Sequence, residues 1–470
     1  MTILEDVIRE QLTSSRSPRY QAIAEAICKA IDQGILHASE KLPTHRALAE
    51  AIGVSIQTVS YAYAFAEQEG YVVGKVGSGT YVSHQRAQQE VDFLKNGAPK
   101  SNEFVDLSIV YATAGEAQES AFADALRDIA SQPEGRELIN AIKPFAGLMR
   151  HREAAARWLA KLGLDVPAEQ VCITNGATHA LLTAMASLVH PGDNVACAEL
   201  VDHGLISLAR TLNFRLEGVA LDEQGIIPEA LATLCEQKQI AAICVTPTLN
   251  NPTGQSMSLA RRQAIAEIAR RFDIPLVEDD VFATIQPQPL PPISSLVPEL
   301  GYYITSFTKV IAAGLRIGYL VPPHNQVAPV TGRLRASSWM ASPISAGIAS
   351  HWIDSGKVDA LAEWQRGELR SRYQLACDIL KLPADETIKS FILLPLPEPW
   401  RVDDFVNQAR QQKVLLTPAE PFVVGHQPAP HFVRLSLTAA ASRDELTRGL
   451  QVVAQLLKQT PPPISMEYLV

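Results

Sequence analysis

SFTKVIAAGLRIGYL, residues 306–320, follows directly on the β-branched and aromatic run YYIT and places a lysine, Lys309, just past a strand end. A strand that stops at Ser306, a turn carrying Gly314 and a cation at Arg316 present an amine and a guanidinium at one sheet edge. An amine so placed suits Schiff-base chemistry. The Arg316 guanidinium and the hydroxyls of Ser306 and Thr308 suit a dianionic phosphate. A lone lysine is usually a solvated surface residue, so the assignment depends on what else the chain brings to strand ends.

Three other segments supply it. VEDDVF closes a strand with carboxylates, and Asp279 there has the chemistry to pair with a protonated pyridine nitrogen. NNPTG sets Asn251 in a turn after a strand, where its amide can donate to a ring oxygen. CITNGATHALL reads as strand, Gly turn and helix start, so the amides of Ala177 and Thr178 can cradle an anion at a helix N-terminus. Each has an ordinary alternative: an exposed acidic pair, an Asn-Pro turn, a helix cap. Together, in this order, they fit one cofactor, pyridoxal 5'-phosphate (PLP), which needs an amine, a pyridine partner and a phosphate cup. Around them QVCITNG, DNVACAE, AAICVTPT, IPLVEDD and YYITSFT read as strands, and ATHALLTAMASLV and LARRQAIAEIARRF as amphipathic helices. That alternation predicts an α/β body with a mainly parallel sheet covered on both faces.

From about residue 106 to 460 this order resembles the fold-type I aminotransferases. The resemblance implies a smaller C-terminal subdomain and an arginine that grips a substrate carboxylate, here Arg434 in HFVRLSL. It also implies a group stacked on the cofactor ring. The turn ACAELVDHGL has no Tyr or Phe, so His203 is assigned that place. The family usually carries a tyrosine two or three residues beyond the pyridine Asp; this chain has Val281 and Phe282. A missing hydroxyl there leans toward at most slow transamination.

The N-terminal stretch has another character. RYQAIAEAICKAIDQGIL spaces Ile23, Ile27 and Ile31 by four and predicts a helix ending near Gly34. In KLPTHRALAEAIGVSIQTVSYAYAFAEQEGYV two helices flank a turn at Gly53: Thr44 caps the first, with Ala47, Leu48 and Ile52 inward, and Ser55 caps the second, with Val59, Tyr63 and Tyr61 packing. YVVGKVGSGTYV then reads as a two-stranded ribbon. LPTHRALA and GSGTYV resemble the GntR-type winged helix-turn-helix, which implies a double-stranded DNA operator as partner. By that resemblance Arg46 meets phosphate or base, Ser55, Gln57, Thr58 and Ser60 lie on the recognition helix, and Lys75, Gly77, Gly79 and Thr80 lie at the groove edge. The family usually has Arg after the capping Ser; this chain has Ile56.

Between the two parts, HQRAQQEVDFLKNGAPKSNEF lacks periodicity and reads as a linker. The expected domains are 15–84, a linker 85–105, and 106–470. In 470 residues, 47% hydrophobic and 19% charged, a net charge of −9 excludes a uniformly basic nucleic-acid binder and confines DNA contact to a patch. Six scattered cysteines without a C-x-x-C pair give no disulfide framework and no zinc site. No signal-like start and no apolar run near 20 residues predict a chain without membrane contact, cytoplasmic in location. Reader, linker and body together resemble the MocR subfamily of GntR-type regulators. That resemblance implies a homodimer whose body senses PLP, or an amino compound, through an aldimine on Lys309. The alternative is a working aminotransferase with an accessory DNA-binding module.

Overall fold

A computed structural model describes residues 3–14, 18–32, 35–36, 40–68, 71–75, 79–82, 104–383, 385, 387–425 and 429–459. The chain divides into two compact units, Met1–Ser101 and Asn102–Val470.

In the first unit, helices α1 (Ile3–Ser14), α2 (Arg19–Asp32), α3 (His45–Ile52) and α4 (Ile56–Gln68) precede an antiparallel ribbon of β1 (Val72–Lys75) and β2 (Gly79–Val82). Ile23 and Ile27 of α2, Leu48 of α3 and Val59 and Tyr63 of α4 share one core, which Leu4 and Ile8 of α1 join. Removing side chains of this size from water provides the main stabilisation of so small a unit. The caps are those read from the sequence: Thr44 Oγ1 accepts from Ala47 N at 3.2 Å, Ser55 Oγ accepts from Thr58 N at 3.1 Å, and Gly53 takes φ 71° between the helices. Two facings differ from expectation. Ala47 is exposed while Ala49 is buried, and Tyr61 stays largely exposed, its ring edge-on to Tyr20 at 6.2 Å, while Tyr63 is buried and donates its hydroxyl to Pro43 O. Both shifts follow from helix phase: α3 packs on α1 and α4, and the Tyr63 ring turns in against His45 at the α3 end while Tyr61 lies at the rim. Gly34, the expected end of α2, lies outside the described residues. Main-chain bonds from Leu42 N to Thr80 O and from Val82 N to Glu40 O add residues 40–42 to the ribbon as a third edge.

The second unit is built on a seven-stranded sheet. In chain order the strands are β3 (Cys172–Thr174), β4 (Asn194–Ala198), β5 (Arg215–Val219), β6 (Ala242–Val245), β7 (Leu276–Asp279), β8 (Gly301–Ser306) and β9 (Gly318–Val321). In space they run β3-β9-β8-β7-β6-β4-β5. Six strands are parallel, and β9 runs against both its neighbours. The expected mainly parallel sheet is present. The reversed strand belongs to the lysine segment, where the chain leaves β8 and doubles back beside it. Apart from the edge strand β5, which is largely exposed or half-buried, the strands are almost wholly buried, as helices on both faces require. Helices α5 (Ala177–Leu188), α6 (His203–Leu212) and α7 (Leu259–Phe272) follow β3, β4 and β6 and start at the sheet's carboxyl edge. A smaller antiparallel sheet, β10 (Phe391–Pro395), β12 (Phe432–Ser436) and β11 (Thr417–Pro418), forms the C-terminal part. Among the described residues no helix is long and apolar enough to cross a membrane.

Candidate active site

The turn between β8 and β9 positions Lys309, whose Nζ donates to Val110 O at 2.8 Å. Burial lowers the pKa of this ammonium; Arg434 and Arg316 push the same way, while Asp202 and Asp279 oppose them. A lysine held below its usual range is a better nucleophile toward a carbonyl.

Beside it lies a cup for an anion. Helix α5 starts after Gly176, which has φ 83° and ψ 173°, and no side chain caps its first amides. The N–H groups of Ala177 and Thr178 therefore face outward from the positive end of a helix. A Cβ at Gly176 would sit 3.1 Å from Arg316 Nη2, and one at Gly318 would sit 2.7 Å from the Gly176 carbonyl carbon. Glycine at both positions lets β9, the turn and the guanidinium close on one another. Arg316 itself holds a left-handed φ of 50°. Ser306 is buried and its hydroxyl accepts from Thr308 N at 3.4 Å; Thr308 Oγ1 is buried without a hydrogen-bond partner.

Asp279 ends β7 at the same mouth. Burial raises its pKa to about 7, Asp202 and Asp280 add to the rise, and Lys309 resists it. Its Oδ1 is buried without a partner. Glu278, within the sheet, is also raised to about 7 by burial and by Asp280, although Ile293 N, Ser294 N and the Ser294 hydroxyl donate to it. Carboxyls that bind protons more tightly folded than unfolded stabilise the fold fully below their unfolded pKa, near 4, and lose that contribution as pH rises through about 7. Cofactor-free protein is expected to lose thermal stability across that window. Asp279→Asn should flatten its share of the slope; a melting-temperature series from acid to neutral pH checks this. Val281 and Phe282 are buried, and the Phe282 ring meets Phe391 edge-on at 6.2 Å, so no hydroxyl comes from this turn.

Opposite Lys309, Arg434 is buried on β12. Its Nη1 donates to Asn251 Oδ1 at 2.7 Å, Nη2 donates to Ser108 O and, at 3.4 Å, to Thr417 Oγ1, and Nε has no partner. The Phe422 ring lies 4.9 Å from the guanidinium. Burial lowers the pKa of Arg434 to about 10, with Asp202 and Asp106 opposing. Asn251 Nδ2 donates to Asp202 Oδ2 at 2.6 Å.

Asp202 is the site residue the sequence did not disclose. It precedes α6 and accepts from Gly204 N at 2.8 Å, so in sequence it looks like a helix cap and nothing more. Burial pushes its carboxyl up, but His203, Lys309, the Gly204 amide and Arg434 outweigh burial and hold it at about 2. His203 is the first residue of α6, about one-third exposed, with Nδ1 3.8 Å from Asp202 Oδ1 and its ring edge-on to Phe422 at 6.2 Å.

The atoms Asp279 Oδ1, Thr308 Oγ1 and Arg434 Nε are buried without partners, and their chemistry suits a ring N–H, a phosphate and a carboxylate. The residues present therefore fit a phosphorylated pyridine aldehyde and an amino compound bearing a carboxylate.

In the first unit Arg46 is exposed in the first turn of α3, and Ser55, Gln57, Thr58 and Ser60 lie at the start of α4. The Thr58 hydroxyl is 2.8 Å from that of Ser55, and Ser60 Oγ is 3.5 Å from His45 Nδ1. Lys75 pairs with Gly79 and Gly74 with Thr80 at the end of the ribbon. Gly77 lies outside the described residues, as does the side chain of Lys75.

A winged helix-turn-helix on one unit and a fold-type I aminotransferase-like site on the other define the class. Residues 112–453 match the family Aminotransferase class I and II, and residues 19–82 match Bacterial regulatory proteins, gntR family. The chain is 25% identical over 453 residues to the HTH-type transcriptional regulator YdeF of Bacillus subtilis (strain 168), covering 96% of each. It is 30% identical over 324 residues to the HTH-type transcriptional regulator YjiR of Escherichia coli (strain K12), covering 65% of this chain and 69% of that one. Its fold matches LysN, the alpha-aminoadipate aminotransferase of Thermus thermophilus complexed with N-(5'-phosphopyridoxyl)-L-leucine. The TM-score is 0.68 at 21% identity, covering 76% of this chain and 92% of that one. The chain belongs to the aminotransferase class I and II family and, with its gntR-family reader, is a GntR/MocR-type regulator.

Proposed function

We propose that this protein is a cytoplasmic, homodimeric regulator whose body holds PLP at Lys309 and senses PLP itself, or an amino compound that displaces Lys309 from it. Residues 15–84 read DNA, 85–105 link, and 106–470 sense. The observation that carries this is the convergence of Lys309, Asp279, Asn251, Thr308, Arg316 and Arg434 with the open start of α5, and the three buried polar atoms left without partners on Asp279, Thr308 and Arg434. PLP, when bound, supplies an electron sink for a reacting amine. Ala177, Thr178, Ser306, Thr308 and Arg316 would hold its phosphate, Asp279 its ring nitrogen and Asn251 its ring oxygen. His203 would lie against the ring, and Arg434 would orient the ligand's carboxylate. The phosphopyridoxyl-leucine in LysN supports that choice of ligand chemistry. A ligand binding two arrangements of the chain unequally then shifts DNA affinity.

The complete set of cofactor-facing residues favours one competing activity, steady transamination. Phe282 argues against it, because no hydroxyl from that turn assists proton movement. With an amino donor and an oxo-acid acceptor, a sensor completes at most one half-reaction per site, whereas sustained product formation would make the chain an enzyme. The reader has its own test. Arg46→Ala should weaken operator binding and make the slope of log affinity against log salt shallower by about 0.9 for each phosphate no longer neutralised.

A further inference from the structure

Helix α4, IQTVSYAYAFAEQ, carries no Lys, Arg or His over its 13 residues. Val59, Ala62, Tyr63 and Ala66 are buried against the rest of the reader, which leaves Ile56, Gln57, Ser60, Tyr61 and Ala64 on the outward stripe, with the exposed Glu67 at its far end. Two of these are large and apolar, Ile56 at 51% exposure and Tyr61 at 57%. In a unit that buries Leu4, Ile8, Ile23 and Ile27 almost completely, leaving an isoleucine half exposed beside the helix cap costs solvation unless a partner covers it.

The polar groups at the start of α4 are partly committed. Ser55 and Thr58 bind each other at 2.8 Å, and Ser60 faces His45 at 3.5 Å. Gln57 Nε2 donates to Tyr61 Oη at 3.3 Å, which steadies the amide while leaving Oε1 and a second N–H. Guanine is most often read by Arg or Lys on its O6 and N7, and α4 has neither. A branched apolar side chain beside a carboxamide suits the other base pair: methyl contact for thymine, and paired donor and acceptor for adenine.

We infer that Ile56 is a specificity-determining residue of the reader, packing on a thymine methyl, with Gln57 on adenine of the same or the neighbouring A·T pair. Phosphate anchoring falls instead to cations off the helix, with Arg46 exposed on α3. The inference rests on the DNA-reading role proposed above and adds which bases the helix selects.

The test uses the full chain and duplexes it recovers from a randomised pool. A·T steps should be enriched where α4 docks. Replacing the shared thymines by uracil, which removes only the methyl, should weaken wild-type binding roughly four-fold for each methyl covered. Ile56→Ala should bind thymine and uracil duplexes alike, and Ile56→Val should keep the preference. The uracil comparison on the wild type needs no variant to fold. Enrichment of guanine-anchored sites, or wild-type affinity unchanged by uracil, overturns the inference and leaves the reader intact. No enrichment of any sequence overturns the DNA-reading role with it.

Discussion

Lys309→Ala is expected to abolish the visible absorbance band of the PLP-loaded protein and to reduce borohydride-fixable cofactor from stoichiometric to none. Lys309 is the lysine at the mouth shared by Asp279, Asn251 and Arg434, and burial holds its ammonium below the usual range. Removing the amine leaves the phosphate cup and Asp279 in place, so PLP should still bind reversibly and without the shifted band. Lys309→Arg keeps a cation against Val110 O and the two carboxylates but cannot condense with an aldehyde. It should lose the band as completely as alanine, which separates lost chemistry from lost folding. An intact band in either variant would place the cofactor on another group.

The second large effect is expected at Arg434. Its guanidinium joins Asn251, Ser108 and Thr417, and its unpaired Nε is buried at the mouth. Truncating one partner of a buried charged pair typically costs about 2–5 kcal/mol, or roughly 30- to 5,000-fold in affinity. Arg434→Met should therefore flatten the site's preference between an amino acid and the same amine lacking its carboxylate. Spectral titration with both compounds reads that ratio. The ratio is the informative quantity, because a general loosening around Asp202 and Asn251 would weaken both ligands together and leave it unchanged. A preserved preference would move carboxylate recognition away from Arg434.

Much of the fold and of the candidate site was legible in the sequence because its parts are local. A lysine after a strand, a carboxylate at a strand end, an Asn-Pro turn and a Gly turn opening a helix each have a short signature, and the parallel sheet gathers their strand ends at one edge. Thr44, Ser55 and Gly53 were legible for the same reason, since caps and turns are decided within a few residues. What escaped depends on distance. Asp202 satisfies Gly204 N as any cap would, and its second partner, Asn251, is 49 residues away in the chain. The reversed strand β9 was hidden inside the lysine segment, where pairing and not composition sets direction. Ala47 and Tyr61 lie outward because tertiary packing selects Ala49 and Tyr63 for the interior, and helix periodicity alone does not resolve that choice. Residues 3–14 form a helix whose Leu4 and Ile8 enter the core of the first unit, a partnership set by tertiary packing.

The proposed sensing role requires that occupancy at Lys309 alter DNA binding. The most direct measurement is operator affinity of the full chain at fixed salt, with and without PLP and then with added amino compounds, on wild type and on Lys309→Ala. Ligand is expected to change wild-type affinity by about 5- to 150-fold, the usual range of a coupling between sites, while the variant's affinity stays where it was. Equal wild-type affinity in every ligand state, or an equal shift in the variant, would contradict a sensing role for Lys309.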